Sequence, residues 1–168
     1  DVSIITMGDV LRASVPVISL EHNEGEYTIY AELPGSCDIH TGDSLGFKDI
    51  DGRYRLFEIT SRTLVEPDGI WQINGVDKAI RELMDEPITE YRARGVTVTA
   101  FVTRLLQDTR FSLGTVTSVS TGTMTAYYES VWSALVKVQE AFNVLLVPYY
   151  VFSGGVVSSR LVDIRDNV

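Results

Sequence analysis

Cysteine is almost missing from this sequence: Cys37 is the single thiol in 168 residues. One thiol excludes an intrachain disulfide and any Cys-rich zinc site, and it leaves the redox character of the compartment open. Basic charge is scarce as well, with 14 Lys and Arg against 23 Asp and Glu, a formal charge of −9 and a pI near 4.6. That balance lacks the electrostatic footprint of a phosphate binder and argues against binding nucleic acid or an anionic membrane surface. Histidine is confined to His22 and His40. Neither G-x-x-x-x-G-K nor G-x-G-x-x-G occurs, so no glycine-rich loop is offered to a phosphate. The first residue is Asp rather than Met, with no basic n-region or apolar signal core, which reads as one segment of something longer.

What is present is globular composition, 45% hydrophobic and 22% charged. At this length folding buries about 68–70% of the unfolded surface, enough for one good core or two small ones. Residues 141–159 form a stretch of 19 without a charge, the length of a membrane span. Pro148 and the pair Gly154-Gly155 interrupt it, and branched and aromatic residues fall on both sides of that pair, so it reads as a β-hairpin and no membrane-spanning segment is expected.

Residues 1–76 read as β-structure. Segments 14–20 and 26–32 flank Asn23-Glu24-Gly25, with Tyr27, Ile29 and Ala31 alternating onto one face. Asp51-Gly52 separates 44–50 from 53–60, and Pro67-Asp68-Gly69 turns the chain into 70–76. Short strands at this spacing favour a small barrel or sandwich. Asp77 is placed to cap a helix over 78–85, with Ala79, Ile80, Leu83 and Met84 on one face and Pro87 as its stop. Residues 81–94 carry seven charges in fourteen positions and read as a solvated connector. Thr97 caps a second helix in which Val98, Phe101, Val102, Leu105 and Leu106 recur at helical spacing. Residues 115–125 read as strand or loop. Ser130 caps a third helix with Val131, Leu135, Val138 and Phe142 on one side, and a hairpin over 145–164 closes the chain.

Gly42-Asp43-Ser44-Leu45-Gly46 satisfies both G-x-S-x-G and the GDSL signature of a lipase and esterase family. A nucleophile elbow needs a strand-to-helix turn, a histidine to take the serine proton and a carboxylate to orient it. Here a hairpin follows Ser44, and no histidine lies beyond residue 40. Asp49-Ile50-Asp51-Gly52 echoes the start of a calcium loop without its later oxygen ligands, so a type I′ turn is the simpler reading. His22 beside Glu21 and His40 after Asp38 read as surface residues rather than metal ligands. Tyr128, Trp132, Tyr149 and Tyr150 suit a carbohydrate or peptide platform but fall at core spacing. Cys37 has no basic neighbour to lower its pKa and reads as inert. No catalytic, cofactor-binding or metal-binding residue is assigned and no cofactor is expected, which favours a structural or interaction module. The alternatives are a GDSL-like hydrolase using Ser44 and a carbohydrate- or receptor-binding module using Trp132 or Tyr149.

The order of features carries a resemblance. Asn23-Glu24-Gly25-Glu26-Tyr27-Thr28-Ile29 is followed by Thr41-Gly42-Asp43-Ser44-Leu45-Gly46-Phe47, by Gly52-Arg53-Tyr54-Arg55-Leu56-Phe57-Glu58-Ile59, and by Asp68-Gly69-Ile70-Trp71. Residues 97–106 with Thr109-Arg110-Phe111-Ser112-Leu113-Gly114, then 130–142 and the final hairpin, extend it over about residues 10–164. This succession resembles the N-terminal region of phage minor structural proteins, also called the prophage endopeptidase tail or tail-associated lysin family. One departure is Asn74-Gly75-Val76-Asp77, where that family often has an Ala-Glu-His-like run. In this light residues 42–46 simply lead into a strand.

The resemblance implies an α+β protein: a small tail-tube-like β-barrel hub domain over 1–76, a short helix and charged connector over 77–94, and a compact α/β subdomain with two main helices over 95–168. It implies a structural baseplate or tail-tip hub, a homotrimer joining the tail tube or a distal tail ring and other tail-tip proteins, and closing a channel that DNA only passes through. No enzyme activity is expected in this segment, the family's hydrolases lying in C-terminal extensions. The implied location is the tip of a virion tail, assembled in the host cytoplasm.

Overall fold

The computed structural model of the chain describes residues 2–6, 8–49, 52–67 and 69–167. Among them the strands are β1 (Val2–Ile5), β2 (Leu11–Val15), β3 (Ser19–Asn23), β4 (Thr28–Pro34), β5 (Ser44–Lys48), β6 (Tyr54–Val65), β7 (Ile70–Asp77), β8 (Pro87–Thr97), β9 (Ser112–Val116), β10 (Thr121–Ser130), β11 (Val144–Ser153) and β12 (Val156–Asp166). The helices are α1 (Lys78–Asp85), α2 (Val98–Leu106) and α3 (Val131–Phe142). The chain divides into two compact units. One holds the residues up to Ala79 with Tyr150–Ser158, and the other holds Ile80–Tyr149 with the residues from Ser159 onward.

In the first unit the expected hairpins form with a defined register. Segment 14–20 splits at Pro16, which has no N–H to donate to a ladder, so β2 pairs with β1 and β3 pairs with β4. Strand β4 alternates strictly, burying Ile29, Ala31 and Leu33. Ala31 and Leu33 join Val2, Ile4, Ile39, Leu45, Ile59 and Ile73 in one apolar cluster. The register of β6 against β7 shifts between Ile59 and Ser61, a bulge that changes which face of β6 follows it. Burying that cluster is the main force holding the strands face to core, each aliphatic side chain contributing about 1.5–3 kcal/mol. Asp77 directly precedes α1. It is buried at the end of β7, and its carboxylate accepts from Arg55 Nη2 at 2.7 Å. The expected turns Asp51-Gly52 and Pro67-Asp68-Gly69 fall partly on Asp51 and Asp68, which lie outside the described residues.

In the second unit the two amphipathic helices pack on each other and on strands. Thr97 accepts from the N–H of Ala100 at 3.1 Å, and Ser130 accepts from that of Ser133 at 3.0 Å, so both expected caps are made. Asn143 ends α3 in the left-handed conformation, φ 53°. Val98, Phe101, Val102, Leu105 and Leu106 are all buried, as their spacing predicts. Thr97→Ala is expected to cost about 1 kcal/mol, read as a fall in the urea midpoint without a change in slope.

Two expectations are corrected. The charged stretch 81–94 is no solvated connector: it runs from the end of α1 into the eleven-residue strand β8, paired antiparallel with β10 in a two-stranded ribbon. Its charges Glu90, Arg92 and Arg94 face outward while Ile88, Tyr91, Ala93 and Val96 turn inward. The second correction concerns the architecture itself. The chain is mostly β, 58% strand and 18% helix, with ten strands in one large mixed sheet and three helices, and no small closed barrel is present among the described residues. A barrel closes only when its last strand pairs with its first. Among the described residues β2 pairs with β1 alone and β3 with β4 alone, while β6 is long enough to pair with β5, β7 and β11, so the sheet branches at β6 instead of closing. The parallel pairing of β9 with β12 makes the sheet mixed.

Candidate functional site

The GDSL pattern occupies a structural crossing. Ser44 is the first residue of β5, only 1% exposed, and pairs with Ile5 on one side and Glu58 on the other. The chain then runs into β6, not into a helix. Asp43 is tied into its surroundings, its carboxylate accepting from the His40 N–H at 3.1 Å and from Arg12 Nη2 at 3.1 Å. A buried serine inside a three-strand ladder offers no nucleophile to a substrate.

The histidines are apart from it in role. His40 is exposed, its Nε2 2.7 Å from the Asp38 carboxylate. His22 on β3 presents its ring edge-on to Phe57 at 5.0 Å and to Phe47 at 6.0 Å. Burial, followed by the nearby Arg55 guanidinium, pulls its pKa below 6.5, against the weaker pull of Glu24 and Asp77. The unfolded chain therefore binds the His22 proton more readily than the folded one. That stability term is complete above pH 6.5 and is lost as pH falls from there through the lower folded pKa. His22→Leu is expected to remove this limb, so the difference between urea midpoints at pH 7 and pH 5.5 shrinks; an unchanged difference would contradict the assignment.

Asp49 closes a hairpin turn rather than a cation loop. Its side chain accepts from the Arg53 N–H at 3.0 Å and its carbonyl from the Gly52 N–H at 2.9 Å, while Ile50 and Asp51 lie outside the described residues. Cys37 is half-buried, and burial pushes its thiol pKa up, away from thiolate chemistry. Among the described residues no group of three His, Cys, Asp or Glu side chains is arranged to hold a metal ion, and no helix is long and apolar enough to cross a membrane.

Of the four aromatic residues considered for a platform, Trp132, Tyr149 and Tyr150 are buried and Tyr128 is exposed. Beside it stands Tyr127, which the sequence did not single out. The two rings meet edge to face at 4.5 Å and are 55% and 71% exposed. Consecutive strand residues normally point to opposite faces. Tyr128 escapes that rule because its φ is +44°, a left-handed conformation that costs a bulky residue about 1–3 kcal/mol. Glu129 braces the distortion: one carboxylate oxygen accepts from the Tyr127 N–H at 3.2 Å and from Lys137 Nζ at 2.8 Å. Burial works to raise the Glu129 pKa, but these bonds and one from the Ser133 hydroxyl outweigh it and lower the value.

An open groove of about 970 Å³ in the first unit is lined by Glu21, His22, Tyr30, Thr60 and Asn74 among others. Tyr30 donates to Glu32 at 3.0 Å and Asn74 to Ser61 at 3.1 Å, so much of its polar lining is already satisfied within the sheet.

No protein family matches the chain, and no curated protein matches it either. Solved structures do. A tail protein from Neisseria meningitidis MC58 aligns with a TM-score of 0.56 at 18% identity, covering 96% of this chain and 49% of that one. The 43 kDa tail protein of prophage MuSo2 from Shewanella oneidensis aligns with a TM-score of 0.56 at 12% identity, covering 98% of this chain and 55% of that one. The chain thus shares a fold with these two tail proteins over nearly all its length and spans about half of theirs.

Proposed function

We propose that this chain is a structural component of the tail of a phage or prophage and works through protein–protein contacts rather than catalysis. The observation that carries the reading is the fold shared with two tail proteins over 96% and 98% of the chain. The burial of Ser44 supports a non-enzymatic role for this segment. Within that role we assign the chain to a hub at the tail tip: a homotrimer in the virion that joins the tail tube or a distal tail ring to other tip proteins and closes the DNA channel. The formal charge of −9 suits such a place, because carboxylates repel a passing duplex and DNA slides through without being held.

The test is assembly. Purified chain is mixed with the tail-tube or distal-ring protein of the same phage and followed by sedimentation velocity. A trimer, or a trimer bound to the ring, is expected. A strictly monomeric species that ignores the ring at micromolar concentration would contradict the reading.

A further inference from the structure

We propose that the outward face of the β8–β10 ribbon docks a second copy of this chain, which seats its acidic β3–β4 hairpin there. The inference rests on the assembly reading above and names the two surfaces that meet. On the ribbon, Tyr127 and Tyr128 stand out together only because of the left-handed backbone at Tyr128, and exposed rings of this kind are the side chains that dominate interface energies. Across the ladder from them Arg92 lies opposite Thr125 and Glu90 opposite Tyr127. Arg92 Nε bonds Glu90 at 2.7 Å, which fixes the guanidinium on the ribbon and leaves its other N–H groups for an incoming carboxylate. Arg94 is exposed on the same strand.

The complement lies in the first unit. Residues 13–47 contain six carboxylates and no Lys or Arg. Charge is divided unevenly between the units: residues 1–79 and 150–158 hold 14 acidic against 6 basic side chains, and the remainder 9 against 8. On the β3–β4 hairpin Glu21, Glu24 and Glu26 are exposed, and Ile18, 53% exposed just before β3, gives an apolar knob for the tyrosine rings. Ile18 is held in place by its N–H bond to the Glu32 carbonyl at 2.9 Å. The outer edge of β3 has no strand partner among the described residues. Surfaces of different character on one chain make a head-to-tail contact, which closes into a ring when the rotation between copies allows.

Two variants test it. The ribbon variant carries Tyr127→Thr and Tyr128→Asn, residues that suit a strand and a left-handed position. The hairpin variant carries Glu21→Lys, Glu24→Lys and Glu26→Lys. All five positions are exposed, and circular dichroism checks that each variant is folded. In sedimentation velocity each variant alone is expected to self-associate at least tenfold more weakly than the wild type. An equimolar mixture is expected to form a one-to-one dimer that grows no further, since each partner retains one good surface. Wild-type-like association of either variant alone would overturn the inference while leaving the assembly reading standing. A wild-type chain that is monomeric yet binds the tail ring would do the same, and a monomer that does not bind the ring would remove both.

Discussion

Asp77→Ala should lower the stability of the chain by about 3–5 kcal/mol, because it strands a guanidinium in the sheet. Asp77 is 2% exposed at the end of β7, and Arg55 on β6 reaches it at 2.7 Å with only 15% of its side chain accessible. Water screens such a pair poorly, so removing one charge leaves the other desolvated and uncompensated. A shift in melting temperature on the order of 10 °C is expected for a chain of this size. Removing both charges has a different consequence. Arg55→Met combined with Asp77→Leu should recover most of the loss, since neither member of the pair is then left buried without the other. An alanine variant within 1 kcal/mol of the wild type, or a double variant no better than the single one, would contradict the account.

Phe101→Ala should cost about 3–5 kcal/mol in the other unit. Its ring is fully buried on α2 and packs against Tyr91 at 4.8 Å and Phe142 at 6.1 Å, bringing helix, ribbon and second helix together. Deleting it removes the apolar contacts and leaves a cavity that three elements cannot collapse together to fill. Met84→Ala on α1 is the internal comparison, because that side chain is 46% exposed and its loss should stay within about 0.5 kcal/mol. Urea unfolding of both variants checks the contrast, and equal losses would show that the Phe101 cluster is not the core of its unit.

Local signals were legible in the sequence where one face alone is buried. The spacing of Val98, Phe101, Val102, Leu105 and Leu106 placed α2, and the hydroxyls of Thr97 and Ser130 marked the starts of two helices, because capping and periodicity act within a few residues. β1 was not legible: Val2–Ile5 is buried along its whole length and shows no alternation. β8 was hidden differently. Its burial pattern changes phase between Thr89 and Glu90, opposite the left-handed Tyr128, so neither strand keeps a clean period of two. The branching of the sheet at β6 depends on pairings between residues far apart, such as Tyr54 with Tyr150, and no local pattern reports them. At the candidate site the motif was legible and misleading, since Gly42–Gly46 spells a hydrolase signature around a serine that folding buries. The Tyr127–Tyr128 surface was only half legible, since adjacency of two tyrosines does not reveal a positive φ.

The role in a tail is tested most directly by where the protein sits. Tailed particles purified from the source and labelled with a gold-tagged antibody to this chain should carry label at one end of the tail, distal to the head, under negative-stain electron microscopy. Intact particles that carry no label, or carry it on the head, would contradict the account.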